Sequence, residues 1–413
     1  MSLDGTAQLV PGISSNLIRV AFPMPSIMQV VFFVFAFAVL GGWHYYLWAR
    51  FVRDLQPAER WLRAGKSVFC VLAIAVPFTM IAGRFLDVDV LRPAFVFGFV
   101  WLGLSFILVM LLLIVDIVRL AEWGVRRLTR SKPISLERRR FIKRVVAGVV
   151  AFSGLANAAG GAASALGTAV VEKVPVRLRR LSKKMSGTRI VQLTDMHIGS
   201  ILQRAWVEKV VAQVQALNAD LIVITGDLVD GSVDRLREHV APLGELRARH
   251  GVYFVTGNHE FYSGAEAWIP ELARLGIRTL RNEHVMIGEG DDAFCLAGVD
   301  DWSTRGRRNG KGHDVAAAVR GVDPSREVVL LAHQPRTVGD AVKHGVGLQL
   351  SGHTHGGQIY PWHSFVLFQQ PFVSGLHQVE GTWVYVSRGT GFWGPPIRLA
   401  APPEITSVEL MQA

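Results

Sequence analysis

Two hydrophobic patterns succeed each other along the chain, and the change falls near residue 168. Before it, apolar positions run on with no polar face. Residues 27–40, extended through Trp43, Tyr45, Tyr46 and Trp48, carry no Asp, Glu, Lys or Arg, and the same holds for residues 67–83 and 94–115. A stretch that is apolar all round is a buried or membrane helix, and about 20 such residues cross a hydrocarbon layer. Three membrane-spanning helices are therefore predicted, with Pro77 marking a kink in the second. Residues 145–171, rich in Gly and Ala, are a weaker fourth candidate. Beyond residue 168, short apolar runs alternate with helical periodicity. "RIVQL", "LIVIT", "VYFVT", "VVLLA" and "GLQLS" each read as a buried strand. Val207, Val210, Val211, Val214 and Leu217 recur at helical spacing, as do Ala265, Trp268, Ile269, Leu272 and Leu275 ahead of Gly276. The predicted organisation is a membrane region over 1–168 followed by an α/β domain over 169–413 with mainly parallel strands.

Charge sharpens the first half. The chain has 44 Lys and Arg against 33 Asp and Glu, a net +11. Residues 1–168 hold 18 of the basic and 8 of the acidic residues, which leaves 26 and 25 for 169–413. The basicity belongs to the membrane region, so it does not point to a nucleic-acid partner. Arg50, Arg53, Arg60, Arg63 and Lys66 follow the first span, and a cluster from Arg119 to Arg144 follows the third. Positive residues stay in the cytoplasm, which places the amino terminus outside and residues 116–144 inside. The stretch "ERRRFIKR" is either the cytoplasmic flank of a fourth span or an export signal of the twin-arginine kind, with "ANA" at 156–158 as a cleavage site. Both readings carry the second half outward, to the far side of a cell inner membrane; the basic residues between Lys173 and Lys184 argue the other way. None of the spans has a charge near its middle, which removes the usual basis for transport. Cys70 lies in a span and Cys295 in the second half, so neither a disulfide nor a thiolate metal site is expected.

Candidate chemistry gathers at the strand ends. The first strand is followed by Asp195 and His197, the second by Asp227 and Asp230, the third by Asn258, His259 and Glu260, the fourth by His333 and the fifth by His353 and His355. Ligands of α/β sheets collect beyond the carboxyl ends of strands, so five segments aim polar groups at one place. Gly226, Gly257 and Gly352 permit tight turns there. The other eight histidines, His284, His344 and His377 among them, fall outside the pattern and read as ordinary polar residues. Clustered carboxylates and imidazoles are costly to bury unless a positive charge sits among them. Carboxylate, imidazole and amide donors without thiolate suit Mn, Fe or Zn, and their number exceeds what one tetrahedral ion takes. A shared carboxylate can join two ions about 4 Å apart.

"DMH", "GDLVD", "GNHE", the isolated His333 and "GHTH", in this order, resemble the calcineurin-like metallophosphoesterases. "SGHTHGGQ" and "PPEITSVEL" resemble the membrane-anchored bacterial branch of that family. The resemblance covers residues 170–413 and implies a two-sheet metallophosphoesterase sandwich flanked by helices, behind the transmembrane region, with a dinuclear metal centre. It implies that Asp195, His197 and His355 hold one ion and that Asn258, His333 and His353 hold the other, with Asp227 between them. It gives His259 the role of acid or charge stabiliser near the phosphate, oriented by Asp230. Two divalent ions acidify a shared water, bind phosphate oxygens and offset charge on the leaving oxygen.

Gly231 stands where the phosphoprotein phosphatases of the superfamily have arginine, which turns the expectation from protein phosphatase to a phosphodiester or pyrophosphate hydrolase. Membrane attachment suggests a lipid-linked substrate, and the resemblance implies one such as UDP-diacylglucosamine. Arg305, Arg307, Arg308 and Lys311 in "WSTRGRRNGKGH" are either phosphate contacts or a solvated loop. Arg388, Phe392 and Trp393 near the end either rim a lipid site or simply pack. The competing class is a catalytically inactive membrane-tethered binding or scaffolding protein on the same fold. It would tolerate losses among the metal positions, and all of them are intact.

Overall fold

The structure is a computed structural model, and it describes residues 27–82, 88–130, 135–306 and 312–413. Four helices come first: α1 (Ile27–Phe51), α2 (Glu59–Ala82), α3 (Val88–Leu128) and α4 (Leu136–Leu166). In an apolar layer every backbone group must be satisfied within the segment, which makes these uninterrupted apolar runs helical. By length and composition α2, α3 and α4 can each cross a membrane. α1 carries the first predicted span, and the predicted end of the second, Gly83, lies outside the described residues. α3 continues well past the predicted span into the basic cluster, where Arg126 pairs with Glu122 at 2.8 Å one turn back.

The fourth segment is helical over a different range from the predicted one. Ser135 caps α4 by accepting the Arg138 N–H, so "ERRRFIKR" forms its first turns. The helix stops at Leu166, and Val170 and Val171 belong instead to strand β1 (Val170–Leu178), where they pair with Glu404 and Ile405. Leu47, Leu108, Leu112 and Val150 form the bundle's interior. At one end, Arg50 bonds to Asp116 and, at 3.2 Å, to Asp54; Tyr46 donates to Asp116 at 2.7 Å, and Lys143 stands 4.0 Å from Asp54.

The second half is two six-stranded sheets face to face. After β1 come β2 (Arg189–Leu193), α5 (Arg204–Gln215), β3 (Leu221–Thr225), α6 (Val233–Val240), β4 (Val252–Val255), α7 (Asn258–Ser263), α8 (Ala265–Arg274) and β5 (Ile277–Thr279). Then follow β6 (Glu283–Ile287), β7 (Phe294–Gly298), α9 (Val315–Ala318), β8 (Val328–Leu331), α10 (Val338–Lys343) and β9 (Leu348–Ser351). The last elements are α11 (His363–Val366), β10 (Gly375–Val379), β11 (Thr382–Val386) and β12 (Glu404–Gln412). One sheet has the order β1-β12-β2-β3-β4-β5 and the other β10-β11-β9-β8-β7-β6. Pairing is parallel except at β12/β2, β10/β11 and β6/β7.

Alternating burial explains the layers. Val191, Leu193, Ile222 and Ile224 face outward onto the valines of α5 and the fully buried Trp268 of α8. Ile190, Leu221, Val223, Val329 and Leu348 face inward and fill the space between the sheets. All five predicted strands are present, and the parallel ones put their carboxyl ends on a common edge. There the two sheets are joined: Gln192 Nε2 donates to Thr225 Oγ1 at 2.8 Å in its own sheet and to Ser351 O at 3.0 Å in the other. Cys70 and Cys295 are both free.

Candidate metal centre

At that common edge the structure brings together every strand-end residue singled out in the sequence. Asp195, His197, Asp227, Asn258, His333 and His355 are buried, and His353 is nearly so. They form two groups. Asp195, His197 and His355 offer ligand atoms within 4.8 Å of one another, and so do Asp227, His333 and His353. His197 Nε2 and His355 Nε2 approach to 3.1 Å, as do His333 Nε2 and His353 Nδ1. Asp227 Oδ2 lies between the groups, 3.1 Å from His333 Nε2 and 3.9 Å from His197 Nε2.

Backbone strain is concentrated here. Asp195, His197, Asp227, His353 and His355 all have positive φ, between 46° and 73°. Non-glycine residues seldom adopt this conformation, and clusters of them mark sites where geometry is imposed by the surroundings. Close approach is imposed too. A Cβ on Gly352 would collide with the side chains of Thr194 and Asp195, and one on Gly257 with Asp227.

Hydrogen bonds set the orientation of each group. His353 N–H donates to the Asp195 carboxylate at 2.9 Å and Thr194 Oγ1 donates to it at 2.8 Å. His259 N–H donates to Asp227 Oδ1 at 2.8 Å, which leaves Oδ2 for the space between the groups. His333 Nδ1 donates to Thr225 O at 2.8 Å and His197 Nδ1 to Asp230 at 3.2 Å, so both turn Nε2 toward the centre. Such outer partners are what fix the tautomer of a metal-binding imidazole. His197, Asp230 and His259 make a third close group, but Asp230 is engaged by both imidazoles, with His259 Nδ1 at 2.5 Å.

The residues fit a pair of cations. Asn258 Oδ1 is buried with no hydrogen-bond partner, and two pairs of imidazole nitrogens face each other at 3.1 Å across the centre. Burial alone would push the Asp227 carboxyl up, yet the imidazoles of His333, His259 and His197 hold it well below the usual range. Burial, with His333 beside it, brings His353 down to about 4, and burial with His197 and Arg398 keeps His355 neutral as well. Burial opposes charge on His259 too, but its bond to Asp230 and the charge of Asp227 push it up to about 9. Anionic Asp227, the neutral imidazoles of His353 and His355 and the unpaired Asn258 oxygen make a cation-binding set. Against burial, the Asp227 carboxylate beside His333 holds that imidazole in its protonated form until a cation takes the proton's place.

Several residues with no assigned role in the sequence turn out to build the site. Glu260 is buried under the Asp227 loop and accepts N–H bonds from Gly257 at 2.6 Å, Leu228 at 2.8 Å and Asp227 at 3.0 Å. Its position three residues after Gly257, at the start of α7, is the capping-box spacing, which is the one local signal for it. Arg398 is fully buried and donates to Gly391 O at 2.8 Å, Ala401 O at 2.9 Å and His355 O at 3.2 Å. No local pattern announces it. Trp393 and Tyr262 stand against His259, with ring centroids 5.8 and 5.3 Å away, and both are exposed at the mouth of the centre.

Other sequence candidates lie elsewhere. Arg305 stacks over Trp302 and pairs with Asp340 at 3.4 Å, while Arg307, Arg308 and Lys311 lie outside the described residues. Arg388 turns its guanidinium to Glu404 at 2.9 Å and Glu172 at 3.1 Å. Phe392 packs with Ala165 and Leu202.

A two-sheet sandwich with such a cluster on its strand ends, behind apolar helices, defines a metal-dependent hydrolase held at a membrane. Residues 188–357 match the calcineurin-like phosphoesterase family. The chain is 35% identical over 405 residues to a transmembrane protein with metallophosphoesterase domain of Danio rerio, covering 94% of this chain and 90% of that one. To the Bos taurus protein of the same description it is 36% identical over 411 residues, with the same coverage. To an uncharacterized metallophosphoesterase of Helicobacter pylori it is 38% identical over 243 residues, 58% of this chain and 64% of that one. The chain belongs to the calcineurin-like phosphoesterase family. The vertebrate relatives match through the membrane region as well, so the likeness is not confined to bacterial proteins.

Proposed function

We propose that this hydrolase cleaves a phosphodiester or pyrophosphate bond in a lipid-linked substrate, on the extracytoplasmic side of the membrane. The observation that carries the reading is the placement of Asp227 Oδ2 between two facing ligand groups, 3.1 Å from one imidazole and 3.9 Å from another. In this reading Asp195, His197 and His355 hold one divalent ion, Asn258, His333 and His353 hold the second, and Asp227 joins them. Mn, Fe or Zn in these positions would supply charge for the phosphate oxygens and an acidified water at neutral pH.

The chain's own groups do the rest. Asp230 accepts from both His197 and His259, which fixes the His197 tautomer and keeps His259 in its protonated form. His259 is thereby set as the proton donor to the leaving oxygen. Its Nε2 lies 4.0 Å from Asp227 Oδ2, on the open side where Trp393 and Tyr262 stand. A diester or pyrophosphate fits this mouth because the residue after Asp230 is Gly231, which adds no cation to grip a dianionic monoester. The side of the membrane rests on the basic residues at the Asp116 end of the bundle.

The purified full chain is expected to hydrolyse bis-p-nitrophenyl phosphate in preference to p-nitrophenyl phosphate. Asp227→Asn should remove activity along with bound metal. His259→Asn should lower kcat by about 10²–10⁴-fold with metal retained. Activity unchanged by both substitutions rejects the assignment and returns the chain to a tethered binding protein. A reporter at the carboxyl terminus decides the side.

A further inference from the structure

We propose that two segments of the catalytic half, residues 359–368 and 392–397, sit within the acyl layer of the adjoining membrane leaflet and hold the metal centre at headgroup level. The first link is sequence. Residues 357–379 contain no Asp, Glu, Lys or Arg, and neither do residues 389–397. The first of these stretches presents its large apolar side chains outward: Phe368 is 84% exposed, and Tyr360, Trp362, Phe365 and Leu367 are about half exposed. A water-facing domain seldom leaves so many together.

The second link is where these segments lie along the bundle. Ile359 and Ile397 pack with Phe106 and Ile107 of α3 and Ala158 of α4, and Trp362 meets Phe106 edge-on at 5.9 Å. Arg398 N–H donates to Gly161 O of α4 at 2.9 Å. Phe106 is ten residues from Asp116, and Ala158 is fifteen from Lys143, the charged groups that close the far end of the bundle. At 1.5 Å per residue these contacts stand about 15–22 Å from that end, in a layer about 30 Å thick. The apolar segments are therefore about 8–15 Å below the near surface of the layer, a depth comparable to that of interfacial helices.

The third link ties this surface to the centre. Gln358 Nε2 donates to Trp393 O at 2.9 Å and to Pro395 O at 3.0 Å, and Trp393 N–H donates to Gln358 Oε1 at 3.0 Å. The two segments are thus clamped together, with Trp393 reaching from the clamp to His259. The occupant of the exposed face is acyl chain because the face abuts α3 through Trp362 and Phe106 and brings no Asp, Glu, Lys or Arg to it. A partner protein would have to enter at the same depth.

This inference goes beyond the substrate reading and does not need it. Full-length chain carrying Cys70→Ser and either Phe368→Cys or Leu367→Cys, labelled with a nitrobenzoxadiazole probe, is placed in vesicles of phosphatidylcholine and phosphatidylglycerol with nitroxide-bearing acyl chains. Cys295 is fully buried and stays unlabelled. The same probe on Asp291→Cys gives the aqueous reference. Both segment probes should be quenched by the lipid nitroxides at least threefold more than the reference and be protected from iodide. Reference-level quenching at both positions overturns the proposal. Turnover separates it from the substrate reading. With the probes in lipid, Phe368→Glu should slow a vesicle-borne diester but not bis-p-nitrophenyl phosphate. Equal rates on both would end the lipid-substrate reading and leave the docking intact.

Discussion

Replacing Glu260 with alanine tests the idea that the metal centre depends on a carboxylate that touches no metal. The Glu260 carboxylate is 1% exposed and takes three backbone N–H bonds of 3.0 Å or shorter, with a fourth from Val229 at 3.4 Å. Two of the donors belong to the turn that carries Asp227, so the side chain fastens that turn to the start of α7. Leaving a buried N–H unpaired costs about 1–3 kcal/mol. Three of them give about 3–9 kcal/mol, reduced by the carboxylate's own burial cost and by water entering the gap. A net loss of about 3–5 kcal/mol follows, the range of a broken buried network. For a unit of this size 1 kcal/mol moves Tm by about 2–4 °C, so a drop of about 10 °C is expected. The measurement is thermal unfolding of the full chain in detergent, followed by tryptophan fluorescence and alongside metal content. Glu283→Ala, at an exposed strand position, serves as the control and should stay within about 0.5 kcal/mol. A shift below about 2 °C for Glu260→Ala, with metal content unchanged, would refute the reasoning.

Three further expectations use the same geometry. Gly352→Ala drives a methyl group into Thr194 and Asp195; it should weaken binding at the Asp195 group about 10–100-fold or more, read as loss of one metal equivalent by mass spectrometry. Arg398→Met removes the donors to Gly391, Ala401 and His355 carbonyls and should destabilise the chain by about 3–5 kcal/mol while loosening His355, checked by denaturant unfolding and by metal titration. Chelation of the wild type should abolish hydrolysis and lower stability by about 4 kcal/mol relative to metal at a thousandfold its Kd, with Mn, Fe or Zn restoring both. Stability unmoved by chelator would mean that the buried lone pairs are satisfied in some other way.

Much of the site is legible in the sequence because strand ends carry their own punctuation. A buried apolar run followed by a ligand-type residue, with glycine between them at Gly226, Gly257 and Gly352, is a local pattern, and five such strand ends identify one edge of a parallel sheet. Asp195, His197, Asp227, Asn258, His333, His353 and His355 could be named in this way and are brought together in the structure. The helices of the membrane region were equally legible, since hydropathy is a sum over neighbours. Their boundaries were not: α4 ends where Gly167 leaves the helical region and Val170 finds β12, a partner 234 residues further along.

The sequence by itself determined which residue types stand at the ends of the buried strands and which segments avoid water, because both depend on side chains within a few positions of one another. Only the tertiary structure decided how Asp227 Oδ2 comes to lie between two ligand groups, which backbone groups Glu260 and Arg398 hold, and that Trp393 joins the centre to an apolar face beside α3. These are contacts between segments far apart in the chain. Their energy comes from burying charges and N–H groups that must then be paired, and no local propensity records which partner the folded chain will supply.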